Sequence, residues 1–244
     1  MIHKTEGIVL RTLKHQESNL ITTLYTEAFG IRSFILTGFR SGKSRRKHSY
    51  FQPLSIVDIV FQERPGRSLH KVTESHISEM LPSLQAHPVK LSLGLAMAEI
   101  FYDTVKEEEA HPALYQLLRQ TLSQLEQSDQ RLIQWFLYFL VHLTGPLGFF
   151  PQDSSEASAQ VRFDLGEGTL RSVNENGDRA AWLLRAFLYS ELIPLPDPNS
   201  CQQLTFTQGE KRALIHMLFR YYQLHIEGFK YPQTMKVFAE VFGG

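Results

Sequence analysis

Cysteine is nearly missing from this chain: Cys201 is the only one in 244 residues. One thiol cannot form an intrachain disulfide or assemble a cysteine-based zinc site, so a reducing, cytoplasmic setting is expected. Net charge is missing as well, since 25 Lys+Arg balance 25 Asp+Glu. Long apolar runs are absent. The most apolar segment, Leu132 to Leu143, covers 12 residues and is followed by Gly145-Pro146, whereas a helical membrane span needs roughly 20. That segment reads as a buried core helix, and no membrane partner is expected. The opening residues, Met1 to Glu6, lack the basic-then-apolar pattern of a secretory signal, which again points to the cytoplasm.

Catalytic signatures are missing too. Gly38-Phe-Arg-Ser-Gly-Lys-Ser44 approaches a phosphate-binding loop, but it has three residues between its glycines and no helical pattern after it. The 10 histidines are scattered, and none forms a helical metal-binding pair with carboxylates. His216 and His225 fall on different faces of one expected helix. Cys201 lies in a Pro/Asn/Ser loop with no helix N-terminus nearby to activate it. No catalytic residue, metal ligand or cofactor site is nominated, and a non-enzymatic role is expected.

The zero net charge hides a division. Residues 1–80 hold 12 Lys+Arg against 7 Asp+Glu, or +5, while the remaining 164 hold 13 against 18, or −5. The basic excess is densest from Arg40 to Lys47, where Arg40, Lys43, Arg45, Arg46 and Lys47 occupy eight positions without an acid. Cations held this close repel one another and add nothing to a core. A solvated loop is the plain reading; a polyanion such as a phosphate backbone is the functional one.

From Gly7 to about Ser75 the apolar residues alternate with period two and β-branched residues are frequent, which marks half-buried strands. Five strands fit: Gly7 to Leu13, Asn19 to Thr26, Gly30 to Thr37, Leu54 to Phe61 and Leu69 to Glu74. In the fourth, Val57, Ile59 and Phe61 share an inward face opposite Asp58. In the third, Arg32 and Phe34 oppose Ile31 and Ile35, and the alternation does not say which side is inside. Five short strands escape exposed edges by closing into an OB-type barrel. The basic run then falls in the long third connection, and connections of that length are functional or disordered.

From about Pro82 the periodicity becomes helical. Helices are expected at His87 to Glu108, Ala113 to Leu125, Gln130 to Thr144, Arg179 to Leu192, Thr207 to Ile226 and Gln233 to Val241. The acidic run Glu107-Glu108-Glu109 would sit at a helix C-terminus, where the dipole disfavours it. Thr207 and Glu210 have capping-box spacing. Between Gln152 and Gly177 a polar stretch around Gly166 and Gly168 reads as a short hairpin. The fold class is α+β: a five-stranded OB-type barrel in residues 1–80, then a helical domain in 81–244 with a hairpin insertion at 152–177.

Binding a nucleic-acid strand needs cations at phosphate spacing and flat side chains for bases. Arg11, Lys14 and Arg32 on the strands join the five loop cations. Tyr25, Phe34, Phe39, Tyr50 and Phe51 are candidate stacking surfaces, with Phe34 and Phe51 favoured as core.

Thr5-Glu-Gly-Ile-Val-Leu10, Leu20 to Thr26, the Gly38 to Arg45 loop and Phe51-Gln-Pro-Leu54 resemble the opening of the bacterial DNA repair and recombination mediator family RecO. Tyr222 to Lys230 and Val237 to Phe242 are similar to that family's end. The resemblance implies an OB-fold domain followed by a helical region. It also implies a non-catalytic protein that binds single- and double-stranded DNA, anneals complementary strands and works with RecR to load RecA onto DNA coated by single-strand-binding protein. A RecF-type partner is a further candidate. Many family members carry four cysteines in a zinc-finger-like element; this chain has none between Gln152 and Val173, and its hairpin is expected to replace that element without metal. The family's contact with the acidic tail of single-strand-binding protein lies in the helical region, where Arg119, Arg131 or Lys230 could supply a cation. An RNA-binding barrel and a non-catalytic scaffold whose basic loop meets an acidic protein are the rival readings.

Overall fold

The computed structural model of the protein describes residues 1–15, 19–37, 50–63, 66–106, 109–156, 160–188 and 207–236. Five strands, β1 (Ile2–His15), β2 (Asn19–Thr26), β3 (Gly30–Thr37), β4 (Ile56–Gln62) and β5 (Leu69–Glu79), close into a barrel in the order β1-β2-β3-β5-β4. Every pairing is antiparallel except β3 with β5. Side chains alternate across a strand, and register settles which face of β3 is inside: Phe34 opposite Thr22 and Leu36 opposite Leu20 point inward. They pack with Val9, Leu24, Val57, Ile59 and Phe61 in one core cluster. The face named for β4 is therefore the core face. β1 and β5 run further than the alternation indicates, because both continue to pair with β4 beyond their apolar stretches.

β1 changes register between Val9 and Arg11. At that bulge the chain before β4 comes alongside: the Leu54 amide donates to the Val9 carbonyl at 2.8 Å and the Val9 amide to Ser55 at 2.9 Å. Leu54 adopts φ 73° to do so. Its fully buried side chain lies against Gly94, where a Cβ would meet Leu54 Cδ1 at 2.7 Å.

Three helices follow: α1 (Pro82–Ala86), α2 (Pro88–Thr104) and α3 (Pro112–Gln127). Each begins with proline at its first turn, a position where the missing N–H is harmless. Lys90 is 1% exposed. Its ammonium donates to Ser83 Oγ at 2.7 Å and to the Glu126 carbonyl at 2.9 Å, while the Glu126 carboxylate accepts from the Ser83 and Leu84 amides. One residue pair thus caps the start of α1 and the end of α3. α2 stops at Thr104, with Val105 extended at φ −91° and ψ 117°, before the acidic run begins. The helix thus ends four residues short of the expected Glu108.

The structure divides into two compact units: Met1–Leu132 together with the segment from Pro232, and Ile133–Tyr231. The returning segment is tied into the first unit by Glu99 of α2, whose carboxylate accepts from the Gln233 amide at 2.7 Å and the Thr234 amide at 3.0 Å.

The second unit is built on α4 (Leu132–Leu143), α5 (Arg179–Leu188) and α6 (Gln208–His225), with a three-stranded sheet β6 (Gln152–Asp153), β8 (Thr169–Val173), β7 (Gln160–Asp164). The expected hairpin is β7–β8; β6 adds a parallel third strand. Asp153 on β6 receives Arg185 Nε of α5 at 2.8 Å, both side chains being largely buried. α6 opens with the Thr207/Glu210 capping box. Its Tyr222 hydroxyl donates to the Leu140 carbonyl at 2.7 Å and its Tyr221 hydroxyl to Phe149 at 2.6 Å. Among the described residues no helix is long and apolar enough to cross a membrane.

Candidate nucleic-acid interface

The basic run falls between β3 and β4, and Arg40, Lys43, Arg45, Arg46 and Lys47 lie outside the described residues. The strand cations can be placed. Arg11 is exposed at the β1 bulge and pairs in register with Thr23 on the outer face. Its guanidinium carbon lies 4.1 Å over the ring of Tyr102 of α2, and Lys106 Nζ stands 5.6 Å from the same ring. An aromatic face attracts cations through its quadrupole, so Tyr102 gathers two positive charges at one place on the first unit.

Lys14 is exposed near the end of β1, in the row of Leu20 and Leu36. Arg32 belongs to the inward row of Leu24, is half-buried, and donates to its neighbour's carbonyl, Ile31 O, at 3.0 Å. Arg11 therefore faces outward while Lys14 and Arg32 occupy separate inward rows. The barrel does not gather the three on one face.

Of the stacking candidates, Phe34 and Phe51 are core as favoured, and Tyr25 needs correction. Tyr25 and Phe34 are 0% exposed and Phe51 2%. Tyr25 packs edge-on to Phe101, with ring centroids 4.7 Å apart, and Phe34 meets Phe61 at 5.1 Å. Tyr25 is on the outer row of the barrel, where α2 and α3 cover it through Phe101 and Tyr115. Tyr50 is half-buried against the barrel core, and Phe39 lies outside the described residues. Among the described Phe, Tyr and Trp residues the exposed one is Trp182, at 37%, which alternation in the barrel could not reveal.

The cations considered for an acidic tail fall in dissimilar settings. Arg119 of α3 is engaged by two barrel carboxylates: its Nε donates to Glu6 Oε1 at 2.9 Å and its Nη2 approaches Glu79 Oε2 at 3.0 Å. Glu6 also accepts from the Tyr115 hydroxyl at 2.5 Å and from Ser78. Burial alone would raise the Glu6 carboxyl, but the hydrogen bonds from Ser78, Tyr115 and Arg119 outweigh it and hold the group below its ordinary range. Burial and the Glu6 charge push the Tyr115 hydroxyl far up. Arg131 is exposed just before α4 with φ 60°. Lys230 is exposed and belongs to the second unit. Among the described residues no three of His, Cys, Asp or Glu gather in a way that could hold a metal ion.

The chain's similarity to known proteins runs along its whole length. A family model described as Recombination protein O N terminal matches residues 1–81, and one described as Recombination protein O C terminal matches residues 85–234. The chain is 30% identical to a DNA repair protein RecO of Christiangramia forsetii over 248 residues, covering 100% of both chains. It is 30% identical to a DNA repair protein RecO of Flavobacterium psychrophilum over 246 residues, 98% of each. A DNA repair protein RecO of Bacteroides fragilis is 28% identical over 253 residues, covering 99% of this chain and 100% of that one. With a closed five-stranded barrel and a helical region each matched by its own model, this chain belongs to the Recombination protein O family.

Proposed function

We propose that the protein is a DNA-binding recombination mediator in DNA repair. It binds single- and double-stranded DNA, anneals complementary strands and, with RecR, helps load RecA on DNA coated by single-strand-binding protein. Residues 1–80 act as the nucleic-acid module and residues 81–244 as the partner module. The observation that carries the reading is the joint match of both family models to a chain whose barrel connection β3–β4 holds five cations without an acid. The work is electrostatic rather than catalytic: two phosphate backbones held on one cationic surface repel each other less, which lowers the barrier to pairing.

Arg11, Lys14 and Arg32 act as secondary phosphate contacts, subordinate to the loop. Lys230 is a better receiver of an acidic protein tail than Arg119, which is already engaged by Glu6 and Glu79, and Arg131 remains a candidate. A RecF-type partner is compatible with the same scheme.

The reading is tested by oligonucleotide binding across a salt series. Replacing Arg45, Arg46 and Lys47 together by Glu is expected to weaken binding to single strands and duplexes alike, and to flatten the salt slope by about 2 to 3 logarithmic units per decade. Unchanged affinity and slope would exclude the loop as the principal contact.

A further inference from the structure

Among the described barrel aromatics Tyr25, Phe34, Phe51 and Phe61 are buried, and Phe29 and Tyr50 are half-buried against the core, which leaves no exposed ring there for base stacking. The second unit supplies one. Trp182 of α5, 37% exposed, lies under the Arg179 guanidinium, whose central carbon is 4.1 Å from the ring centroid. Arg179 Nε is held in turn by Glu210 at 2.8 Å. The guanidinium is thus held over the indole by its ion pair with Glu210, the two side chains arising one helical turn apart on α5.

Beside them is an open cleft of about 460 Å3, lined by Gln160, Asn176, Gly177, Asp178, Arg179 and Trp182 among others. Its rim is fixed by specific bonds. Gln160 Oε1 accepts from the Gly177 amide at 3.0 Å, Asn176 adopts φ 58°, and Asp178 Oδ1 accepts from the Ala180 amide at 2.9 Å. Arg162 on β7 reaches across to the Asn176 carbonyl at 3.2 Å. Directly opposite Arg162 in the hairpin register is Arg171 on β8. Like charges facing each other across a strand pair destabilise it. Arg171 is balanced by Glu167, whereas no ion pair among the described residues balances Arg162.

We infer that this cleft is a second, base-stacking contact for single-stranded nucleic acid, separate from the barrel loop: one unpaired base stacks on the Trp182–Arg179 planes and the adjoining phosphate meets Arg162. The carboxamides of Asn176 and Gln160 offer both donors and acceptors to a base edge, so the contact tolerates any base. Every base has a π-face, and aromatic or guanidinium planes are how proteins take unpaired bases without reading their identity. A duplex keeps its bases stacked inside and cannot use this contact. The inference rests on the DNA-binding reading above and adds to it a site that favours single strands over duplexes.

The test uses the full chain with a short oligothymidylate, an abasic oligonucleotide of equal length and a duplex. Trp182 and Trp135 are the only indoles, so stacking is read directly as quenching of tryptophan fluorescence. Oligothymidylate is expected to quench more than the abasic strand, and the difference to vanish in Trp182→Phe. Trp182→Ala is expected to weaken oligothymidylate binding about tenfold with duplex affinity unchanged, while Trp182→Phe, which keeps an aromatic ring, retains most of the affinity. Arg162→Ala is expected to lower the single-strand salt slope by about 0.7. Equal quenching by base-bearing and abasic strands, or unchanged single-strand affinity in Trp182→Ala, overturns the inference and leaves the barrel loop as the DNA site. A chain that binds no DNA of any kind overturns the wider reading instead.

Discussion

Arg119 of α3 and Glu6 of β1 are joined at 2.9 Å, with the Arg119 side chain 30% exposed and that of Glu6 17%. The same guanidinium reaches Glu79 of β5, so one cation bridges two barrel strands to the helix that covers them. A guanidinium is suited to this because its planar fork offers donors in two directions at once.

Substituting Arg119 by Ala leaves Glu6 and Glu79 half-buried without their cation. The expected loss is about 2 kcal/mol, between an exposed ion pair and a fully buried one, read as a lower midpoint in urea unfolding. Lys is expected to rescue it only in part. An unchanged midpoint, with loss of binding to an acidic peptide, would instead assign Arg119 to partner recognition.

The sign of one pH dependence is fixed by His142. It is 5% exposed, its ring 4.1 Å from that of Tyr138. Burial pushes its pKa down to about 4, against an opposing hydrogen bond with the Phe187 backbone. The unfolded chain then takes up this proton first. The stability it contributes is complete above the unfolded value near 6.5 and is lost as pH falls toward 4, to a total of roughly 3 kcal/mol. His142→Phe is expected to flatten the fall in melting temperature over that interval. A profile as steep as the parent's would show that other groups govern acid unfolding.

Gly168 tests the β7–β8 hairpin. It has φ 66°, and a Cβ there would run into the Tyr221 hydroxyl, which donates to the Phe149 carbonyl. Gly168→Ala is expected to cost about 2 kcal/mol through left-handed strain and a disturbed buried hydrogen bond. A thermal melt indistinguishable from the parent's would contradict that.

Local patterns carried much of this fold, and the misses have physical causes. Val57, Ile59 and Phe61 announce a core face because period two is a local property, and Thr207 with Glu210 announces a helix start for the same reason. The covering of Tyr25 by α2, the capture of Arg119 by Glu6, and the Lys90–Glu126 lock join residues 36 to 113 positions apart. No local pattern encodes such pairings. The candidate site divides the same way: the loop cations are legible as a run, whereas Trp182 becomes notable only once the other aromatics are seen to be covered. The Arg179–Trp182 spacing was a signal of a shared helical face, but it was indistinguishable from ordinary helix composition.

A mediator differs from a mere binder in acting on coated strands, and strand annealing separates the two. Complementary oligonucleotides are coated with single-strand-binding protein, and duplex formation is followed with and without this protein. Faster annealing of the coated strands, lost when Arg45, Arg46 and Lys47 are replaced by Glu, is the expected result. Annealing of bare strands only, with coated strands left unpaired, would reduce the protein to a general nucleic-acid binder and contradict the assignment as a mediator.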